Sequence, residues 1–149
     1  MLVTVQLTDD FHQANKDLVE SLDDKGRGYG VVKIKINDLT FGIPLRTNLN
    51  HRHCMVLDTV QRGGRSSNRG LDYTKALLIR DETKELGARF NVSSAQKKIL
   101  ISRKKAIINQ FERYVKGYVS AVQEGAGNTL SSSTYKYSTL VNYHSELGI

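Results

Sequence analysis

The chain has 149 residues, of which 39% are hydrophobic and 25% charged, and this is the composition of one soluble globular domain. Its single cysteine, Cys54, excludes an internal disulfide framework and a multi-cysteine metal site. No apolar run approaches the ~20 residues that a membrane helix needs, and no basic residue precedes Asp9 as a signal peptide would require. We therefore expect one cytoplasmic domain over residues 1–149 without a membrane partner.

The charge is unevenly distributed. Lysine and arginine number 22 against 15 acidic residues, which gives a net charge of +7. Residues 1–24 contain six acids and one base, so the rest of the chain holds 21 bases and nine acids. A body this basic favours a polyanionic partner, above all nucleic acid. The alternative is a basic surface that contacts only solvent.

The first half of the chain has strand patterns before and after one helix. Residues 2–7 are rich in β-branched side chains and predict a strand, and Thr8 predicts the N-cap of a helix that continues to about residue 25. Apolar and polar residues alternate over 29–36 and return over 39–45, which predicts a β-hairpin.

The second half changes from strands to helices. Residues 54–60 and 74–79 predict two further strands, and residues 61–70, with three arginines and three glycines, predict a flexible loop between them. Apolar residues at helical spacing predict helices over 106–123 and 133–146. Strands interrupted by helices around a central hairpin predict an α+β fold with a mostly antiparallel sheet.

The densest polar run of the sequence directly follows the second strand of the predicted hairpin. Arg46 or Arg52 can bind a phosphate group bidentately, and Thr47 can donate a hydrogen bond to a phosphate oxygen. His51 and His53 titrate near neutral pH and can transfer protons. This cluster predicts phosphate chemistry, although each residue alone is more often an ordinary surface side chain.

Metal and nucleotide sites find little support in the sequence. His51 and His53 have no third ligand nearby, and Asp58 and Asp72 are isolated acids. The glycines of residues 26–30 precede a strand, so they do not form a dinucleotide-binding turn, and we expect no cofactor and no metal. Metal-free chemistry on RNA remains, because RNA carries its own 2′-hydroxyl nucleophile.

RNA contacts are expected on the basic segments and on tyrosine rings. The chain has no tryptophan and only four phenylalanines, so tyrosine is the main stacking surface for unpaired bases. Basic side chains in the Arg/Gly loop and in residues 97–105 can bind the phosphate backbone. The predicted RNA-binding residues are Tyr29, Lys33, Asn48, Arg52, Arg62, Arg65, Arg69, Lys75, Lys97, Lys98, Arg103, Lys104 and Lys105.

Four stretches of the chain resemble one protein family. Residues 27–32 (RGYGVV), 41–48 (FGIPLRTN), 70–77 (GLDYTKAL) and 140–148 (LVNYHSELG) are similar in order and spacing to toxins of type III toxin–antitoxin systems. The resemblance is to the TenpN branch, which is related to ToxN, CptN and AbiQ, and it spans most of the chain.

This resemblance implies a fold, an activity and a partner. The fold is a curved antiparallel sheet like the MazF/Kid barrel, with added helices. The activity is metal-independent RNA cleavage that leaves a 2′,3′-cyclic phosphate and a 5′-hydroxyl. The partner is a small repeat-derived RNA that folds as a pseudoknot, is cut by the toxin and inhibits it in a closed protein–RNA assembly. The biological role is growth arrest and abortive defence against phage.

The resemblance also assigns residues by position. Arg27 matches a basic residue before the first hairpin strand, and Thr47 matches a hydroxyl residue after the proline and leucine of the next strand. The lysine that follows in the family is absent here, and Arg46 or His51 can take its role. We expect Arg27 and Arg46 to stabilise the phosphorane, Thr47 to position the phosphate, and His51, with His53 second, to transfer protons.

Two other functions fit the same sequence. A basic RNA-binding regulator without catalysis would present the same charged surfaces. A toxin that transfers a phosphoryl or nucleotidyl group is disfavoured, because no nucleotide-binding loop is visible.

Overall fold

A computed structural model describes residues 2–22 and 30–149, and within them the fold is α+β with an antiparallel sheet, as predicted. The strands follow the order β4-β5-β3-β2-β1-β7, and β6 pairs with β3. Their bounds are β1 (Thr4–Leu7), β2 (Gly30–Ile36), β3 (Leu39–Arg46), β4 (Cys54–Arg62), β5 (Arg65–Asp72), β6 (Leu77–Ile79) and β7 (Leu86–Arg89). Strands β4 and β7 form the two ends of this order, and a closed barrel stays a prediction.

Six helices and two 3-10 turns accompany the sheet in the described residues. The longest helix is α4, which confirms the helix predicted over residues 106–123. The helices are α1 (Asp9–Ala14), α2 (Glu82–Glu85), α3 (Ser94–Ser102), α4 (Lys104–Gln123), α5 (Gly127–Leu130) and α6 (His144–Leu147), and the 3-10 turns are Tyr73–Lys75 and Thr139–Tyr143.

Helix α1 begins where the sequence predicts and ends earlier. The Thr8 hydroxyl accepts a hydrogen bond from the Phe11 backbone N–H at 3.2 Å, which confirms the N-cap. The Asn15 side chain donates to the Phe11 carbonyl at 2.7 Å and occupies an acceptor at the C-terminal end of the helix. The prediction that the helix continues to about residue 25 is therefore wrong.

The loop predicted over residues 61–70 is wrong, because strands β4 and β5 pair through this segment. Gly63 and Gly64 have φ values of +56° and +77°, so two glycines make the tight turn between Arg62 and Arg65. Met55, Leu57 and Leu71 bury the inner half of the hairpin in the core, and polar pairs hold its outer half, as in the 2.7 Å hydrogen bond from Gln61 Nε2 to Ser66 Oγ.

One further predicted strand is shorter than expected, and one predicted helix is replaced by shorter turns. The strand over 74–79 starts only at Leu77, because the Asp72 carboxylate caps a 3-10 turn at Tyr73–Lys75. The helix over 133–146 is replaced by turns, the 3-10 turn at 139–143 and the short α6. Leu140 and Tyr143 are nevertheless buried, since a spacing of three residues also lies on one face of a 3-10 turn.

The main core lies between the sheet and α4. Phe41 of β3 meets Phe111 of α4 edge-to-face at 5.3 Å, and both rings are fully buried. A smaller cluster joins Phe11 of α1 to Val31 of β2 and Leu77 of β6. Within the described ranges, none of the helices has the length and apolar character needed to span a bilayer.

Candidate phosphate-binding site

A fully buried carboxylate, that of Asp72, is at the centre of the candidate site. The antiparallel pairing of Arg46 with Gly70 brings the end of β3 beside the end of β5. Arg46 Nη1 lies 2.6 Å from Asp72 Oδ2, and Thr74 donates to Asp72 Oδ1 from its backbone N–H at 3.0 Å and from its hydroxyl at 2.6 Å. Three donor atoms, one on Arg46 and two on Thr74, thus hold the buried carboxylate.

The His51 ring lies between the Asp72 carboxylate and the backbone of His53. Its Nδ1 accepts a hydrogen bond from the His53 backbone N–H at 3.1 Å, so the proton of the neutral ring is on Nε2. That buried Nε2 lies 3.2 Å from Asp72 Oδ1, but the two atoms are not aligned as a hydrogen bond. Both ring nitrogens therefore face protein atoms.

His53 faces a cleft of about 350 Å³ between the start of β4 and helix α4. Its ring lies 5.7 Å from that of Tyr114, centroid to centroid. Burial, followed by the positive charge of Arg52 and the nearby His51 imidazole, lowers the pKa of His53 below its ordinary value of 6.5. The imidazole is consequently neutral at pH 7 and able to accept a proton.

The rim and walls of this first cleft differ in chemistry. The exposed guanidinium groups of Arg52 and Arg113 flank the opening, and Gln110 and Thr134 supply neutral polar groups. Tyrosine rings and the Cys54 thiol complete the walls. Burial, with Asp72 nearby, raises the pKa of the Cys54 thiol, which keeps it protonated and agrees with its predicted packing role.

A second cleft, of about 340 Å³, lies on the other side of the Asp72 cluster. Arg46, His51 and Lys75 line it, and Thr134 lines both clefts. Lys75 Nζ donates to the backbone carbonyls of Glu20 and Tyr137, each at 2.8 Å, and burial lowers its pKa. The two clefts share Thr134 as a lining residue, and Arg46 and His51 of the second cleft contact the Asp72 carboxylate.

The predicted site residues divide into three groups. Arg46, His51 and His53 come together as described, whereas Arg27 and Tyr29 lie outside the described residues. Thr47 is exposed just after β3 and, in the described part of the chain, lines neither cleft.

Several predicted RNA-binding cations already have acidic partners. Lys33 of β2 pairs with Glu82, and Arg69 of β5 pairs with Asp58 through two nitrogens, one of them at 2.8 Å. The pKa of Asp58 is lowered by its hydrogen bond to Arg69. These two cations are therefore partly neutralised.

Other predicted contacts are exposed on the surface. The Asn48 side chain accepts a hydrogen bond from Ser67 Oγ at 2.7 Å, which joins the polar segment to β5. The exposed predicted cations are Arg52, Arg62, Arg65, Lys97, Lys98, Arg103, Lys104 and Lys105.

Asp72, Gln110 and Arg113 lie at the site and are not among the residues predicted from the sequence. Asp72 is not the isolated acid expected, because it directly follows the apolar Leu71 at the end of a strand, where a carboxylate needs a partner. Gln110 and Arg113 stand three residues apart on α4, and Tyr114 follows, so all three share one helix face. The sequence signal for these residues is the polar edge that Gln110 and Arg113 form beside the apolar stripe of α4.

The described residues contain no group of three His, Cys, Asp or Glu side chains placed to hold a metal ion. No protein-family model, curated protein or solved structure matches this chain.

Proposed function

We propose that the chain is a metal-independent endoribonuclease of the type III toxin class, which cleaves RNA by attack of the 2′-hydroxyl. One observation carries the proposal: a neutral imidazole, His53, faces an arginine-rimmed cleft beside a buried cluster that fixes Arg46. Guanidinium groups bind the phosphate and the charge that develops on it, and a neutral imidazole accepts a proton at pH 7.

In the proposed step, the 2′-oxygen forms a bond to phosphorus as the bond from phosphorus to the 5′-oxygen breaks. His53 takes the proton of the 2′-hydroxyl, and the leaving 5′-oxygen takes a proton from water at the cleft opening. The products are a 2′,3′-cyclic phosphate and a 5′-hydroxyl. Arg52, whose exposed guanidinium lines the same cleft as His53, stabilises the extra negative charge of the phosphorane.

The geometry favours a positioning role for His51. Both nitrogens of its ring face protein atoms, and its Nδ1 accepts from the backbone N–H of His53. We therefore assign proton transfer to His53, which reverses the order expected from the sequence. His51 orients the backbone that carries His53.

The proposal extends to the resemblance as a whole. We propose a repeat-derived pseudoknot RNA as inhibitor and substrate, a closed protein–RNA assembly, a cytoplasmic location, a role in phage defence and a MazF/Kid-like curvature of the sheet. The net charge of +7 and the exposed arginines of the β4–β5 hairpin support an RNA partner.

The test is cleavage of a defined single-stranded RNA in the presence of EDTA. We expect the wild type to produce 2′,3′-cyclic phosphate ends, and His53→Asn to cleave at least about 100-fold more slowly because the base is lost. The matched control, His12→Asn on α1, should cleave at the wild-type rate.

Three outcomes would contradict this proposal. Equal cleavage by His53→Asn would remove the assigned base, and loss of activity in EDTA would exclude a metal-free mechanism. RNA that is bound but never cut would favour a second function, a non-catalytic RNA-binding regulator, which the exposed Arg62 and Arg65 at the hairpin tip also fit.

A further inference from the structure

The amide of Gln110 has a fixed orientation in the first cleft. The Tyr73 hydroxyl donates a hydrogen bond to Gln110 Oε1 at 2.9 Å. Tyr73 is only 2% exposed, and burial raises the pKa of its hydroxyl well above the ordinary range, so the proton stays on the oxygen. Because the amide oxygen is held by this donor, the Gln110 side chain has its NH2 group left to offer to a ligand.

The cleft around this NH2 group has a rigid aromatic wall. Tyr135 donates from its hydroxyl to the Tyr114 carbonyl at 2.9 Å, and the two rings lie 5.0 Å apart. The hydroxyl reaches that carbonyl because residue 117 of α4 is glycine: a Cβ there would lie 2.4 Å from the Tyr135 oxygen. Aromatic rings beside an oriented amide are typical of a nucleobase site, and the arginines that also line this cleft suit the attached phosphate.

We propose that the first cleft binds one nucleobase of the RNA and that Gln110 selects its identity. This inference rests on the proposed function for the neighbouring phosphate, because His53 lines the same cleft. The Gln110 carbonyl oxygen already accepts from Tyr73, and the NH2 group can only donate hydrogen bonds. It therefore favours a keto base, uracil or guanine, over an amino base, adenine or cytosine.

The discrimination arises from the wrong bases as much as from the right ones. The keto oxygen of uracil or guanine accepts from the Gln110 NH2 group. The amino group of adenine or cytosine would place a second donor against it, and both donors would lose a partner on leaving water. We expect this mismatch to weaken binding about tenfold, the lower part of the range for one wrong base.

The experiment measures binding of the four nucleoside 3′-monophosphates to the wild-type protein, so that no cleavage is needed. Titration is followed by the side-chain amide signals of Gln110 in NMR spectra and by calorimetry. We expect the uridine and guanosine 3′-phosphates to bind about tenfold more tightly than the adenosine and cytidine 3′-phosphates, and to shift the Gln110 amide signals.

Two variants test whether the amide is the selecting group. Gln110→Glu retains an acceptor for Tyr73 and replaces the NH2 group by an oxygen, so the preference should invert toward amino bases. Gln110→Met removes both groups and should equalise the four affinities. The matched control is Gln123→Glu at the exposed end of α4, which adds the same charge and should leave the preference unchanged.

The outcomes separate this inference from the proposed nuclease. Equal binding of all four nucleotides to the wild type overturns the base site, even if RNA is cut as proposed. A clear keto preference with no RNA cleavage retains the base site and overturns the nuclease. A preference that Gln110→Glu leaves unchanged shows that Gln110 only supports Tyr73, and this too overturns the inference.

Discussion

Asp72 determines the geometry of the site because a fully buried carboxylate needs partners. It has them in Arg46 and in two groups of Thr74. The same contacts cap the 3-10 turn at Tyr73–Lys75 and hold the arginine side chain at the edge of the second cleft. One acid therefore holds both the local turn and the Arg46 guanidinium.

Removing the Arg46 guanidinium should lower stability, because the Asp72 carboxylate is buried. Arg46→Met leaves the fully buried Asp72 carboxylate without its ion-pair partner, and we expect the free energy of unfolding to fall by about 2 kcal/mol, less than for a fully buried pair because the Arg46 side chain is 35% exposed. The decrease is measured by urea denaturation. Arg65→Met, at the exposed hairpin tip, should change stability by less than about 0.5 kcal/mol. Equal effects of the two variants would show that the buried pair contributes nothing specific.

The low pKa of His53 depends partly on its neighbour in the chain. Burial is the largest cause and the Arg52 charge the next, since a nearby positive charge disfavours the imidazolium. Arg52→Gln should therefore raise the pKa of His53 toward 6.5 without reaching it. The shift is measured by NMR titration of the imidazole.

The activity should follow this pKa in the same direction. A general base works only when neutral, so cleavage falls as the pH drops through the pKa of His53, and Arg52→Gln should move this acid limb to higher pH. Arg62→Gln is the control, because eight residues of extended strand place it about 26 Å from Cys54. An unchanged acid limb in Arg52→Gln would separate the activity from His53.

At the scale of elements, α4 contains a glycine that its helix propensity does not explain. Alanine at position 117 would ordinarily stabilise a helix interior by roughly 1 kcal/mol. Here its Cβ would meet the Tyr135 hydroxyl, which contacts the backbone of the preceding turn. The glycine therefore makes room for the segment that walls the first cleft.

Gly117→Ala should for this reason lower the melting temperature instead of raising it. The added methyl group displaces Tyr135 and breaks its hydrogen bond to the Tyr114 carbonyl. Adding Tyr135→Phe removes the clashing oxygen, so the double variant should recover part of the loss relative to Gly117→Ala. A single variant that is more stable than the wild type would contradict this contact. Thermal unfolding followed by circular dichroism gives the answer.

Elements with a strong local pattern are those that the sequence predicts well. The alternation in β2, the return strand β3 and the apolar stripe of α4 each follow from neighbouring residues. The outer half of the β4–β5 hairpin was predicted as a loop because residues 61–70 are polar, and cross-strand polar pairs hold this part of the two strands. Those pairs depend on register, which the paired glycines of the turn fix and composition does not reveal.

At the scale of the whole molecule, the site joins positions that are distant in sequence. Polar residues of 46–53 were predicted as a group because they are neighbours, whereas Asp72 and Gln110 reach them only through strand pairing and helix packing. No periodicity in a single segment reports such contacts. The grouping of polar side chains in residues 46–53 was therefore predictable from the sequence, and the carboxylate and the amide beside them were not.

The distribution of charge predicts how RNA binding depends on salt. Each phosphate contact releases counterions, so the logarithm of affinity should fall steeply with the logarithm of salt concentration. Replacing Arg62 and Arg65 together by glutamine should reduce that slope by about two, one unit for each lost contact. Replacing Lys33 with glutamine, where Glu82 already pairs with the lysine, should change it less. Fluorescence anisotropy at several salt concentrations measures both slopes.

The two terminal regions of the described chain are fastened to each other. The Asn142 side chain accepts from the Val19 N–H at 2.9 Å and donates to the Val19 carbonyl at 2.8 Å, across 123 positions of sequence. Lys75 adds bonds to Glu20 and Tyr137, and Thr134 closes both clefts. During translation, the two hydrogen bonds of Val19 can therefore form only after Asn142 has been made. An unfinished chain lacks Thr134 and Tyr135 of the first cleft, so the proposed cleavage of RNA would begin only after these residues are made.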